Sequence, residues 1–231
     1  MLAGAVLALA SQGKAAAAPP TLTGFPFTDE NLTYSIAWPT GASLGNVHLK
    51  AAKAASTWRF ELAIDASIPG FDVKDTYLSH ANADFCSADF SKEFVHGPRK
   101  GGEKETIDRS HASVTRVTTN GGGKSEFSVP DCTKDALTLL FYARREMGQG
   151  RVPPAQQILF GGIYESSLQY VGPETVQIGG KPALTDKIVC DLKGPSSSLR
   201  FELYFARDAA RTPLLVTVPL ALGKFSMELV R

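Results

Sequence analysis

Hydrophobic and polar residues alternate along most of the chain. Between Asn31 and Trp38 every second residue is apolar, and Pro39 and Gly41 follow. An alternation with a period of two is typical of a β-strand that buries one face, and proline and glycine are typical of the turn after it. Similar runs follow at residues 47–51, 58–64, 71–77, 85–94, 157–171, 175–178, 183–190, 199–205, 214–220 and 225–230. We therefore predict an antiparallel meander of many short strands.

The middle of the chain is more polar than its two ends. We expect a loop at residues 96–102, where the sequence is HGPRKGG, and a hairpin turn at residues 120–123, where it is NGGG. The loop carries Arg99 and Lys100, but Glu103 and Glu105 follow them directly. This mixture of charges favours a solvated turn over a binding site for anionic lipid or polysaccharide.

One segment, residues 131–147, has the pattern of a helix. Its apolar residues recur every three or four positions and form a broad stripe. Asp131 is suited to cap the N-terminus, and Gly148 is suited to end the helix after Met147. A stripe this broad favours a helix that is packed against a curved sheet. We predict a mainly β fold, a curved antiparallel sheet or incomplete β-barrel, with this one principal helix on the concave face.

The inner face of such a sheet would be rich in aromatic residues. An incomplete barrel either fills this space with side chains or leaves a cavity for an apolar ligand, and the sequence leaves both outcomes open. The side chains that would line a cavity are Trp38, Trp58, Phe60, Leu140, Phe141, Phe201, Phe205 and Phe225.

The N-terminus has the composition of an export signal. The uncharged run LAGAVLALA is shorter than the ~20 residues of a membrane-spanning helix, and small residues follow it. No Lys or Arg precedes the run, which departs from the usual signal-peptide pattern. We expect residues 1–17 to be a signal peptide, residues 18–30 an N-terminal extension, and residues 31–231 a single β-rich domain. The protein would then be periplasmic or secreted.

Three cysteines are present, Cys86, Cys132 and Cys190. Export implies an oxidising compartment, so we expect one disulfide and one free thiol. Of the three pairings, we predict Cys86 with Cys132, because Cys190 lies in a strand-like run where a buried free thiol is common. Cys132 would also lie at the N-terminus of the predicted helix, where a thiolate is stabilised, so a reactive cysteine is the alternative.

The charge and the motifs exclude several classes of function. A net charge of +1 argues against nucleic-acid binding, which normally needs a basic excess. The four histidines do not occur at the spacing of metal ligands, and no nucleophile motif is present, so we expect no metal, no cofactor and no catalytic residue. An enzyme with a cryptic site stays open, because the fold sets the spacing of a catalytic carboxylate pair.

Several segments together resemble the bacterial family called domain of unknown function 3108. They are FPFTDENLTYSIAWPTGASLG, CTKDALTLLFYARR, TDKIVCDLKG and FARDAARTPLLVTVPLALGKFSMEL. The resemblance implies an exported, mostly β protein of unknown activity, and it assigns no catalytic residue. The layout also resembles the incomplete barrels of lipoprotein-carrier and lipoprotein-receptor domains, which is an analogy of fold alone.

Three hypotheses of function follow from the sequence. The first is a non-enzymatic envelope protein that binds a lipid or another apolar small molecule, with peripheral attachment to the envelope. The second is a protein-interaction module that uses a sheet edge or loops and presents an apolar patch. The third is an enzyme whose centre is Cys132 or a carboxylate pair.

Overall fold

The computed structural model of the chain describes residues 27–68, 70–119, 121–220 and 223–230. Within these residues the chain forms one sheet of 15 strands and one α-helix. The predicted signal peptide lies outside the described residues. The first half contains β1 (Glu30–Ala37), β2 (Ser43–Ala54), β3 (Thr57–Ile68), β4 (Phe71–Asn82), β5 (Ser87–His96), β6 (Arg99–Asp108), β7 (Ser113–Thr118) and β8 (Gly123–Ser128). The second half contains β9 (Lys134–Asp135), α1 (Ala136–Gly148), β10 (Gln156–Leu159), β11 (Ile163–Ile178), β12 (Lys181–Lys193), β13 (Ser198–Ala206), β14 (Pro213–Leu220) and β15 (Gly223–Leu229).

The sheet consists of two meanders that are joined through the first and last strands. β1 to β8 pair in chain order, β15 to β10 pair in chain order, and β1 pairs with β15. All of these pairs are antiparallel, whereas the short β9 runs parallel to β10. β8 and β9 are the free edges, so the sheet is curved but unclosed. The prediction of a mainly β, incomplete barrel with one principal helix is confirmed.

The alternation of the sequence determines which side chains face inward. Tyr34 of β1 lies beside Val47 of β2, which lies beside Ile64 of β3. Cross-strand partners in an antiparallel sheet project from the same face, so these side chains form one continuous apolar row. Phe27, which we placed in the N-terminal extension, is buried and packs edge to face against Trp58.

The helix begins four residues later than predicted. Asp135, and not Asp131, caps α1, because Lys134 and Asp135 are extended and pair with β10. Cys132 precedes this pairing with a φ of 55° and does not lie at the helix N-terminus. The helix packs against β3, β4, β9 and β10 on the concave side of the sheet. In the described residues, no helix combines the length and the apolar character that a membrane span requires.

Asp135 also joins the helix to the sheet. Its Oδ1 accepts hydrogen bonds from the backbone N–H groups of Leu137 and Thr138, at 2.9 and 3.0 Å. Its Oδ2 accepts hydrogen bonds from Ser79 of β4, from Ser87 of β5 at 2.6 Å, and from the Thr138 hydroxyl at 2.9 Å. The carboxylate has no solvent exposure. Because buried carboxylates need such donors, this cluster fixes where α1 enters the barrel.

A disulfide connects the two halves of the chain close to this cluster. Cys86 and Cys132 are bonded, which confirms the predicted pairing, and Cys190 is free and buried. Beside the bridge, the Ser87 N–H donates to the carbonyl of Thr133 at 2.9 Å. The start of β5 and the segment before β9 are therefore held together, although they are not neighbours in the sheet.

Several predicted boundaries were wrong in detail. The predicted strand at 157–171 is interrupted after Leu159, and β11 continues without a break through 175–178. The expected loop at residues 96–102 is a tight turn, because Gly97 adopts a φ of 57° and β6 begins at Arg99. Phe85 is not part of a strand but lies in the turn before β5, with a φ of 60°. Gly97 permits a much shorter connection between β5 and β6 than the loop that the polar composition of residues 96–102 suggested.

Candidate functional site

The concave side of the sheet is not completely filled. A cavity of about 400 Å³ lies between α1 and the strands. It is neither sealed from solvent nor a shallow depression of the surface.

Among the residues that the structure describes, no charged side chain lines the cavity. From the first half of the sheet the lining includes Tyr34, Leu49, Leu62, Ile64, Tyr77 and Phe90. From the helix and β10 it includes Ala136, Leu137, Leu139, Leu140, Ala143 and Ile158. It also includes Phe160, which comes directly after β10. From the remaining strands it includes Leu168, Cys190, Leu192, Leu199, Phe201, Leu203, Phe205, Pro213, Val216, Val218 and Met227.

The few polar atoms of the lining are occupied or uncharged. The Tyr34 hydroxyl donates to the carbonyl of Pro213 at 2.9 Å, and the Tyr77 hydroxyl donates to Asp75 at 3.0 Å. Burial raises the pKa of both tyrosines, so they stay neutral. Burial also raises the pKa of the Cys190 thiol to about 12. The described side chains therefore give the cavity an apolar environment, and the Cys190 thiol is not ionised near neutral pH.

Three of the eight side chains that the sequence assigned to a cavity line it. They are Leu140 of α1 and Phe201 and Phe205 of β13. Trp38 and Phe225 do not line it, and they pack edge to face with ring centroids 4.8 Å apart.

The other three predicted side chains fill one end of the barrel. Phe60 and Phe141 stack with ring centroids 4.1 Å apart, and Trp58 stacks on Phe60 at 5.9 Å. Phe27 and Phe85 complete this cluster. The two outcomes that the sequence left open therefore occur together, because this end is packed and the rest of the interior is hollow.

Sequence reasoning missed most of the aliphatic lining. Leu49, Leu62 and Met227 occupy inward positions that the alternation of their strands already marked. These residues would have been found if every inward-facing apolar residue of each strand had been chosen, aliphatic as well as aromatic. Phe160 could not be found this way, because it lies in the turn between β10 and β11.

One buried carboxylate stands out next to the lining. Glu105 of β6 lies beside Phe90 of β5 and has no solvent exposure. Neither carboxylate oxygen accepts a well-formed hydrogen bond within the described part of the chain. Burial, and next the charge of Glu103, raise the pKa of Glu105 to about 8. The folded protein therefore favours the protonated form of this side chain.

The pH dependence of stability should reveal this group. The folded pKa lies above the unfolded value of 4.5, so the contribution of Glu105 to stability is complete below pH 4.5 and is lost as the pH rises through 8. Glu105→Gln mimics the protonated form. At pH 9 we expect the variant to be more stable than the wild type by about 1–3 kcal/mol, and at pH 4 the difference should vanish.

Urea unfolding at both pH values measures this difference. Glu126→Gln on the edge strand β8 is the matched control, because Glu126 is exposed and its replacement should leave the pH dependence unchanged. A Glu105→Gln variant whose stability follows that of the wild type at both pH values would contradict the assignment.

Within the described residues, no three His, Cys, Asp or Glu side chains are arranged to hold a metal ion. The fold and the cavity together define a barrel-like protein with a hollow apolar interior. A solved structure has the same fold, the crystal structure of a β-barrel-like protein of domain of unknown function DUF1849 from Brucella abortus. The likeness covers 90% of this chain and 98% of that one, with a TM-score of 0.62 and 8% sequence identity, so it shows the fold alone.

The chain belongs to the family of proteins of unknown function DUF3108, whose model matches residues 33–230. This confirms the resemblance noted from the sequence. Among curated proteins, none has a sequence that matches this chain.

Proposed function

We propose that the protein is a non-enzymatic binder of a lipid or another apolar ligand, which it holds between α1 and the sheet. The observation that carries this proposal is the cavity of about 400 Å³ with an uncharged lining. A fold that needed only stability would gain by filling such a space, because close-packed interiors are the rule and voids are destabilising.

The chemistry of the lining supports an apolar ligand. Each methylene group that leaves water for an apolar site contributes about 0.8 kcal/mol. A chain of several methylene groups therefore gains enough to bind without any specific polar contact. The volume lies in the lower part of the range of about 300–1,000 Å³ for small-molecule sites, which favours a ligand with one chain over one with several.

The disulfide supports a location outside the cytoplasm. Structural disulfides persist in oxidising compartments such as the periplasm, and the bridge between Cys86 and Cys132 lies within the fold. Together with the export signal expected at residues 1–17, this favours a periplasmic or secreted protein. In this account the protein takes up its ligand in the cell envelope.

Filling the cavity tests the proposal. Val216 of β14 lines the cavity, and its cross-strand partners Leu203 and Met227 line it too. Val216→Phe places an aromatic ring in the space that the ligand would occupy. With the fluorescent probe N-phenyl-1-naphthylamine, we expect the wild type to bind one molecule and the variant to bind at least about tenfold more weakly, which corresponds to about 1.4 kcal/mol.

The matched control is the same substitution on the outer face. Val117 of β7 is 47% exposed, so Val117→Phe should bind the probe as the wild type does. Circular dichroism and the midpoint of urea unfolding must show that both variants are folded. Equal affinity of the wild type and folded Val216→Phe, or no binding to the wild type, would overturn the proposal.

A further inference from the structure

An ammonium group lies directly beside the cavity. In the register of β4, β5 and β6, Lys92 stands between Tyr77 and Glu103. Its Nζ lies 5.5 Å from the ring centroid of Tyr77 and 5.6 Å from that of Phe160. Both rings line the cavity. Lys92 is half-buried, and it lies behind these two rings without itself belonging to the cavity lining.

The charge of Lys92 is held by aromatic rings and not by a carboxylate. A third ring, that of Phe94, lies 5.6 Å from Nζ, and no described carboxylate lies within ion-pair distance of it. A cation over a ring at a partly exposed site gains only about 0.5–1 kcal/mol. An anion that arrives at this position can therefore bind Lys92 without first breaking an ion pair.

Three acidic side chains lie around Lys92 on this face of the sheet. Glu105 is buried and favours its protonated form, and the other two, Glu103 and Asp75, have partners. Glu103 accepts two hydrogen bonds from Arg116. The Nε atom of Arg116 donates at 2.9 Å, and its Nη2 atom donates the second bond. Asp75 is hydrogen-bonded to His96 at 2.7 Å and to the Tyr77 hydroxyl. Neither needs Lys92 for compensation, so Lys92 stays available to a ligand.

The position of this one cation defines a ligand with two parts. We propose that the cavity takes a single-chain amphiphile with an anionic head group, whose chain lies among the apolar side chains and whose head group is bound by Lys92. This inference rests on the proposed function and makes the ligand more specific. A purely apolar ligand would leave Lys92 without a role, whereas a carboxylate or phosphate head group forms a charge-assisted hydrogen bond with it.

Three probes with the same chain length separate the contributions of chain and head group. They are hexadecanoate, hexadecyl phosphate and the neutral hexadecanol, used below the concentrations at which they aggregate. Displacement of N-phenyl-1-naphthylamine measures the affinity of each. We expect the wild type to bind at least one of the two anions about tenfold or more tightly than hexadecanol. The preferred anion tells a fatty acid from a phosphate-headed lipid.

Lys92→Met keeps much of the side-chain stem and removes the charge. In this variant, the preferred anion should bind at least about tenfold more weakly, while hexadecanol binds as before. Lys124→Met is the matched control, because Lys124 is exposed on the edge strand β8, lines neither the cavity nor the pocket at Lys92, and should not change any affinity. Unfolding midpoints equal to that of the wild type verify that both variants are folded.

The possible failures are distinguishable. If the wild type binds none of the probes, the proposed function fails. If it binds hexadecanol and both anions equally, or if Lys92→Met retains full affinity for the preferred anion, the role of Lys92 is overturned and the apolar cavity stands. Equal weakening of all three probes by Lys92→Met would assign Lys92 a structural role and would also overturn the inference.

Discussion

Replacement of Arg144 by alanine is expected to lower the free energy of unfolding by about 3–5 kcal/mol. Arg144 lies on α1 and has no solvent exposure. Its Nη1 and Nη2 donate to the two carboxylate oxygens of Glu30 on β1, at 2.7 and 2.9 Å. Its Nε donates to the carbonyl of Ala210, at 3.0 Å, between β13 and β14. The guanidinium also covers the ring of Phe27 at 4.3 Å.

One side chain therefore joins the helix, the first strand and a connection of the second half. Alanine would leave the Glu30 carboxylate, of which 17% is exposed, without its bidentate partner. The loss is large because a partly buried charge keeps its desolvation cost after its partner has been removed. Urea unfolding monitored by circular dichroism measures the effect.

An exposed arginine provides the control for this prediction. Arg200 pairs with Asp191 at 3.1 Å, but its side chain is 55% exposed. Such surface pairs contribute about 0–1 kcal/mol, so Arg200→Ala should have a small effect. The double variant Glu30→Gln with Arg144→Met should lose less than the two single variants combined, because it removes both charges together. Similar losses in Arg144→Ala and Arg200→Ala would contradict the role of the buried pair.

Removal of the disulfide is expected to lower the free energy of unfolding by about 4 kcal/mol. Cys86 and Cys132 are 46 residues apart in sequence, so the bridge closes a long loop and restricts the unfolded chain. The variant in which both cysteines are replaced by serine should unfold at a lower urea concentration than the oxidised wild type. The wild type in dithiothreitol should approach the variant.

The variant with serine in place of both Cys86 and Cys132 supplies its own control, because dithiothreitol should leave its stability unchanged. Cys190→Ala should keep the sensitivity of the wild type to dithiothreitol, since Cys190 is free and lies in the cavity lining. A double serine variant as stable as the oxidised wild type would show that the bridge adds no stability.

The architecture could be predicted from the sequence because one physical rule applies along most of the chain. A sheet with one buried face needs alternation, and strands such as β1 and β3 satisfy it. The helix was recognisable by its different period. The pairing of β1 with β15 was not recognisable, because these strands lie at opposite ends of the described chain and only the folded sheet brings them together.

The start of the helix could not be predicted because it depends on distant residues. Asp131 and Asp135 both precede the helical pattern, and either could cap a helix. Ser79 and Ser87 decide between them by donating hydrogen bonds to the carboxylate of Asp135. These serines lie about 50 residues earlier in the chain, and their position beside Asp135 exists only in the folded sheet.

The cavity was predicted as one of two outcomes, and its residues only in part. Packing decides whether an inward side chain touches a neighbour or an empty space, and the sequence gives no direct signal for this. Phe27 lies before the predicted domain, and it packs against Trp58 and Phe141 to help fill one end. The sequence does not single out Lys92, and only its register beside Tyr77 reveals its position next to the cavity.

Native mass spectrometry of the protein purified from its own cells tests directly whether the cavity holds a ligand. We expect a folded protein with one tightly bound small molecule, which detergent or organic solvent releases and which proves to be an acidic single-chain lipid. A protein that carries no ligand, and that does not take up one equivalent of hexadecanoate, hexadecyl phosphate or hexadecanol when these are added, would contradict the proposed function.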